Sequence, residues 1–426
     1  AWAWRLLAAA ITRSPPTKEE SMSISPRRLV AAGALAAVTT GAGLALAAPA
    51  FAAPANDNFQ FAQFLPGPNN SVGGRTDTGA TAEVGEPAHA GTPAHASVWY
   101  KWTAPATGKA IFRTISANTT FDTVLSVYTG NSLTGLTSVA ENDDVPGVTT
   151  QSQVVFKATK GTEYKIAVDG FAGATGSFKL SWTGNDDFAA AETLPGPVGA
   201  FQAAGVHTEG ASAEPGEPSH AGSAASHSIW YRWVAPSNGI AEFAAVQGNY
   251  DSVISVYQGN AVNALTLVAE NDDQQPGNVR ARVLFAATAG QEYKVAVDGA
   301  GGAQGNDVVR YSLTAPTVTV GTASVVEGNA ATKTVNVPVS LNTDAPFPVS
   351  VKFATKDGSA VAGSDYIATS GTLTFQPGFR FLSVPVQIKG DTTKELNETF
   401  TVNLSSPTGG FAIANGSGVV TITNDD

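Results

Sequence analysis

The sequence predicts an all-β protein of three tandem antiparallel β-sandwiches, and three observations carry that prediction. A long segment occurs twice: Ser97-Val98-Trp99-Tyr100-Lys101-Trp102 returns as Ser228-Ile229-Trp230-Tyr231-Arg232-Trp233, an offset of 131 residues, and every later shared motif returns at 129. An offset held over a whole domain's length means a duplicated domain, and the period suits one sandwich rather than a solenoid unit. Long helical patterns are missing, charged residues are only 14%, and there are 44 Gly and 24 Pro to make turns. Finally, residues after Pro316 alternate apolar and polar with period two, as in Val335, Val337, Val339 and Leu341.

In chain order, residues 1–21 precede the only Met, Met22, and read as an upstream extension. Arg27-Arg28, the apolar run from Leu29 to Ala48, and Ala50-Phe51-Ala52 read as a signal peptide over 22–52, cleaved after Ala52. The expected product is secreted or held at the cell surface and is not an integral membrane protein once processed. The chain has no Cys, so stability rests on core burial with help from bound metal. The net charge of −11 argues against nucleic acid and favours cations as partners.

The first repeat is read over 53–184 and the second over 185–316. They open at Asn56-Asp57-Asn58-Phe59 and Asn185-Asp186-Asp187-Phe188, and continue through Gly85-Glu86-Pro87-Ala88-His89-Ala90-Gly91 and Gly216-Glu217-Pro218-Ser219-His220-Ala221-Gly222. No linker separates them, so a fixed relative placement is expected. Alternation along the Trp strand puts Val98, Tyr100 and Trp102 on the core face and Trp99 beside Lys101 on the other. Trp99 and Trp230 are therefore candidate sugar-stacking platforms, with a Trp packed under a loop as the alternative. Asp122 with Asn142-Asp143-Asp144, and Asp251 with Asn271-Asp272-Asp273, supply the clustered hard oxygens that Ca²⁺ takes. The competing explanation is turn chemistry. His89 and His220 read as hydrogen-bonded structural residues in a long loop.

Together these motifs resemble bacterial repeats related to the pre-peptidase C-terminal (PPC) domain. The resemblance implies two jelly-roll-like β-sandwiches of accessory type, attached to secreted hydrolases and surface proteins.

Residues 317–426 carry about seven short alternating strands, which fit an immunoglobulin-like sandwich. In such a sandwich alternate loops emerge at one end, so Glu327, Asp357, Asp391, Glu395 and the terminal Asp425-Asp426 converge. Converging carboxylates repel unless a cation neutralises them. The segments Val325-Val326-Glu327-Gly328, Lys356-Asp357-Gly358-Ser359-Ala360, Gly363-Ser364-Asp365-Tyr366 and Ile422-Thr423-Asn424-Asp425-Asp426 resemble a Calx-beta domain. That resemblance implies calcium as cofactor, with Glu327, Asp357, Asp391, Glu395, Asp425 and Asp426 as ligands. Gly390 and Asn424 stand where exchanger domains carry further acids, implying fewer ions or weaker binding.

No nucleophile elbow, His-Glu-x-x-His, phosphate loop or Cys nucleophile is present, so no enzyme is expected. The expected function is calcium-dependent adhesion at a cell surface or in a matrix, with an extracellular polysaccharide or a surface protein as partner. The alternatives are a carbohydrate-binding accessory protein using its Trp faces, and an accessory module of a secreted hydrolase.

Overall fold

The computed structural model describes residues 51–196, 202–275 and 277–426. The expected extension, and all of the expected signal peptide but Phe51 and Ala52, lie outside them. The first sandwich contains β1 (Gln63–Leu65), β2 (Asn69–Thr76), β3 (Val98–Thr103), β4 (Gly108–Arg113), β5 (Thr123–Thr129), β6 (Thr137–Asn142), β7 (Gln153–Ala158), β8 (Glu163–Gly170) and β9 (Ser177–Thr183). One sheet runs β2-β9-β4-β7 and the other β1-β3-β8-β5-β6. Early strands pair with late ones, β2 with β9 and β3 with β8, which is jelly-roll order.

The second sandwich repeats this with β10 (Glu192–Leu194), β11 (Gln202–His207), β12 (Ile229–Val234), β13 (Gly239–Ala245), β14 (Ser252–Gln258), β15 (Thr266–Asn271), β16 (Arg282–Ala287), β17 (Glu292–Gly299) and β18 (Asn306–Thr314). Its sheets run β11-β18-β13-β16 and β10-β12-β17-β14-β15. The third contains β19 (Thr317–Val320), β20 (Ala323–Val326), β21 (Thr332–Leu341), β22 (Val349–Asp357), β23 (Ser370–Phe375), β24 (Phe381–Lys389), β25 (Glu398–Ser405), β26 (Ala412–Asn415) and β27 (Ser417–Thr423). They form β24-β21-β19-β26 packed on β20-β27-β25-β22-β23. The all-β expectation of two jelly rolls and an immunoglobulin-like sandwich therefore holds.

Alternation decides the cores. Val98, Tyr100 and Trp102 point between the first sandwich's sheets with Phe112, Phe156 and Trp182. Trp99 points outward from the sheet, yet it is 0% exposed, and so is Trp230. This corrects the sugar-platform expectation for both residues. The short turn Phe59–Phe61 folds over the outer face and sets Phe59 edge-on to Trp99, with ring centroids 5.2 Å apart. His89 and Tyr128 close the other sides. Phe188, His220 and Tyr257 do the same around Trp230.

His89 is the structural residue expected. Its Nδ1 lies 2.8 Å from the Tyr128 hydroxyl and its Nε2 3.0 Å from Glu86 Oε1, and the pattern recurs at His220, Tyr257 and Glu217. Burial pushes the Glu86 carboxyl up, but bonds from His89, Ser97 and the Glu83 N–H together hold it below the ordinary value.

The junctions between sandwiches differ in chemistry. Between the first two, Lys109 pairs with the fully buried Asp186, and the Lys109 N–H donates to Asp187 Oδ2 at 2.8 Å. Ala190 seats against Gly108, where a β-carbon would lie 2.6 Å from the alanine's own. Between the second and third, Ile240 is part of the third sandwich's apolar core and Leu284 packs on it. The equivalent glycine, Gly239, again marks the contact: a β-carbon on Gly410 would lie 2.1 Å from its carbonyl oxygen.

Two outcomes follow from burial. Trp99→Ala should cost about 3–5 kcal/mol of stability in denaturant unfolding, as a large buried aromatic does. Lys109→Met strips a buried carboxylate of its partner and should cost about 3–5 kcal/mol at pH 8. Burial, opposed by Lys109, already raises the Asp186 carboxyl to about 6. The cost should therefore shrink at pH 5, where the unpartnered carboxyl takes a proton; equal costs at both pH values would exclude this account.

Candidate metal centres

At one end of the third sandwich the strand ends gather carboxylates. Glu398 opens β25 opposite Ile422 of β27, and Asp357 closes β22 opposite Phe400. Glu327 follows β20, whose register on β27 is parallel, and its N–H donates to Thr423 O at 3.0 Å. Antiparallel and parallel pairing thus deliver these ends to the same side.

Carboxylate oxygens of Asp365, Glu395 and Glu398 lie within 4.8 Å of one another. Glu327 is only 5% exposed. Its carboxyl is pushed up by burial and by the charges of Asp391, Glu395, Asp426 and Asp365. Glu398 is raised to about 7 by burial and by Asp365, Glu395 and Glu327. Of the residues named from the sequence, Glu327, Asp391, Glu395 and Asp426 share this field. Asp365 and Glu398 belong to it and were not singled out. Their signal was present in Gly363-Ser364-Asp365-Tyr366 and in the acid opening an alternating strand, but only pairing shows that both ends meet.

Asp357 and Asp425 have other engagements. Asp357 Oδ1 accepts from the Tyr366 hydroxyl and, at 2.9 Å, from the Ala362 N–H, so it ties down the loop that carries Asp365. The Tyr366 bond, with the Ala362 N–H, holds its carboxyl below the ordinary value. Asp425 Oδ1 accepts from the Gly328 N–H at 2.7 Å, which anchors the chain end beside Glu327. Gly390 has a steric reason: a β-carbon there would lie 1.8 Å from Gly328 O.

In the first jelly roll, Asp122, Asp143 and Asp144 each bring an oxygen within 4.8 Å of the others, and Asp251, Asp272 and Asp273 do so in the second. The buried Oδ1 atoms of Asp122, Asp143, Asp251 and Asp272 have no hydrogen-bond partner among the described residues. Burial and mutual repulsion raise Asp122, Asp143 and Asp272. Asn142 departs from the expectation. Its Oδ1 accepts from the Gln153 N–H at 3.0 Å and its Nδ2 donates to Asp144 O at 2.8 Å, so it braces the turn. Asn271 Oδ1, by contrast, is buried without a partner among the described residues.

All these donors are hard oxygens, and orphaned carboxylate atoms facing like charge suit a divalent cation such as Ca²⁺. Residues 306–426 match the Calx-beta domain family. The chain is 38% identical over 77 residues to adhesion G-protein coupled receptor V1 of Danio rerio, which is 18% of this chain and 1% of that one. It is 47% identical over 58 residues to sodium/calcium exchanger 1 of Canis lupus familiaris, 14% of this chain and 6% of that one. The chain thus spans a small part of these relatives. The apo-form Calx CBD1 domain superposes with a TM-score of 0.25 and 27% identity, over 26% of this chain and 100% of that one. The family match begins inside β18, which pairs with β11 and β13 in the second sandwich, so the third sandwich's own strands start at Thr317. The C-terminal sandwich of this chain is a Calx-beta domain, and its acidic loop end is the candidate calcium site.

Proposed function

We propose that this chain is a secreted, non-catalytic calcium-binding protein, whose sandwiches serve calcium-dependent adhesion at a cell surface or in a matrix. The carrying observation is the cluster of Asp365, Glu395 and Glu398 under the field of Glu327. In this reading Glu327, Asp365, Asp391, Glu395, Glu398 and Asp426 hold calcium. Bound calcium supplies positive charge and six to eight oxygen-ligand positions. Asp357 positions the Asp365 loop through Tyr366, and Asp425 fixes the chain end. Neutralising the cluster stiffens loops that repel one another when bare. The jelly rolls act as PPC-like accessory modules, each with a second-rank calcium site at its Asp trio. One matched relative is named an adhesion receptor, which agrees with the adhesive part of the reading.

Thermal unfolding of the full chain, in millimolar Ca²⁺ and in chelator, tests the metal. Stabilisation should reach about 2.7 kcal/mol at one hundred times the dissociation constant. Asp365→Asn with Glu398→Gln should abolish it in the Calx-beta transition. If the double variant keeps the full shift, the site lies elsewhere. Asp143→Asn with Asp272→Asn should leave that transition alone and remove any calcium shift of the jelly rolls.

Calcium affinity should also fall as pH drops through about 7, because Glu398 has its raised carboxyl there and takes a proton in competition with the metal. An affinity flat from pH 8 to pH 5.5 would remove Glu398 from the ligand set. Retention on immobilised extracellular matrix polymers, compared with and without chelator, tests the adhesive role; no calcium-dependent retention counts against it.

A further inference from the structure

The duplication provides an internal control for one pocket. In the second jelly roll, Asn185, Glu192, Gly205 and Tyr231 surround the side chain of Asn69, which arrives from β2 of the first. Asn69 is 5% exposed, and its Nδ2 lies 3.2 Å from Asn185 Oδ1 and 3.5 Å from Glu192 Oε2. The Asn185 amide meanwhile donates to Trp230 O.

The same position in the first jelly roll is formed by Asn56, Gln63, Gly74 and Tyr100, and there it is an open cavity of about 380 Å³. Asn56 donates to Trp99 O at 3.0 Å, as Asn185 does to Trp230 O, so its Oδ1 is left facing the cavity as an acceptor. Three differences distinguish the copies. Glu192 is replaced by Gln63, which removes a negative charge. Val206 is replaced by Arg75, by sheet register: Arg75 pairs with Phe178 as Val206 pairs with Asp307. Ala190, 1% exposed, is replaced by Phe61, 59% exposed at the cavity's rim.

The backbone differs as well. A bulge between Val72 and Arg75 interrupts β2, whereas β11 is regular. Tyr231 donates to Gly205 O at 2.6 Å, and no such bond from Tyr100 is present among the described residues. Bulges commonly re-aim side chains beside binding sites. Arg75 lines the cavity, and among the described residues it makes no ion pair and its buried Nε has no partner.

We propose that this cavity binds a uronic-acid residue of an acidic polysaccharide. Arg75 calls for an anionic acceptor, best met by a carboxylate. Asn56 Oδ1 calls for a donor, which a sugar hydroxyl supplies. Gln63 serves either, and the exposed Phe61 ring offers a flat apolar face to sugar C–H groups. A cavity of this size falls within the usual range for small-ligand sites. An asparagine-type plug, the occupant in the second copy, leaves Arg75 unpaired.

The test is calorimetric titration of the full chain with tetragalacturonate in excess chelator, so that loss of the calcium reading and loss of this one are distinguishable. Binding of one oligosaccharide per chain is expected. Arg75→Val and Phe61→Ala install the second copy's residues, and each should weaken binding about tenfold or more without shifting the unfolding temperature. Neutral galactotetraose should bind about tenfold or more weakly too. Absence of binding, equal binding of the neutral oligomer, or unchanged affinity in Arg75→Val overturns the proposal.

Discussion

Each sandwich is held to the next through a glycine whose missing side chain makes the slot. Gly108 of the first sandwich admits Ala190 of the second, and Gly410 of the third admits the carbonyl oxygen of Gly239, the equivalent of Gly108 in the second copy. A β-carbon at Gly108 would force the two jelly rolls apart, and the Lys109–Asp186 pair beside it would be opened to water. Because Asp186 is fully buried, its charge depends on Lys109 once the slot closes. Among the described residues the second junction has no such charge pair; Ile240 and Leu284 extend the third sandwich's apolar core across it. One joint therefore responds to charge and the other to apolar burial alone.

The acidic loop end of the third sandwich has the opposite character. Asp365 and Glu395 lie close enough to Glu327 and Glu398 to raise the proton affinity of those two, which is a cost to the fold without a neutralising partner. Hydrogen bonds from Tyr366 and Ala362 to Asp357, and from Gly328 to Asp425, hold the flanking segments while leaving these four carboxyls facing one another. A frame tied by two acids around a group of closely spaced carboxylates is an arrangement suited to a cation.

Comparison of the two jelly rolls separates what the fold requires from what it tolerates. The buried Trp, His, Glu and Tyr network is the same in both, because it seals the outer face of the sheet. The Asp trios recur as well. The Tyr100 and Tyr231 pockets do not match: one is plugged by a neighbouring asparagine and the other is open, re-charged and flanked by an aromatic ring. Divergence at a position where its twin is filled is a sign of separate use.

Periodicity and duplication in the sequence by themselves determined the fold class, the three sandwiches and the face on which each core residue lies, since a strand's side chains alternate whatever surrounds it. They also pointed to one loop end for Glu327, Asp357, Asp391, Glu395, Asp425 and Asp426, because loops of an antiparallel sandwich alternate between two ends. What covers an outward face is not local information. Trp99 and Trp230 stood on the polar side by alternation, and only the folding-over of Phe59 and Phe188 decided that they are buried. Likewise, Asp365 and Glu398 join the acidic group through strand register, Asn142 leaves its group through a bond to Gln153, and the Tyr100 cavity stays open because no neighbour among the described residues fills it. Those outcomes depend on contacts between residues far apart in the chain, which only the tertiary structure could decide.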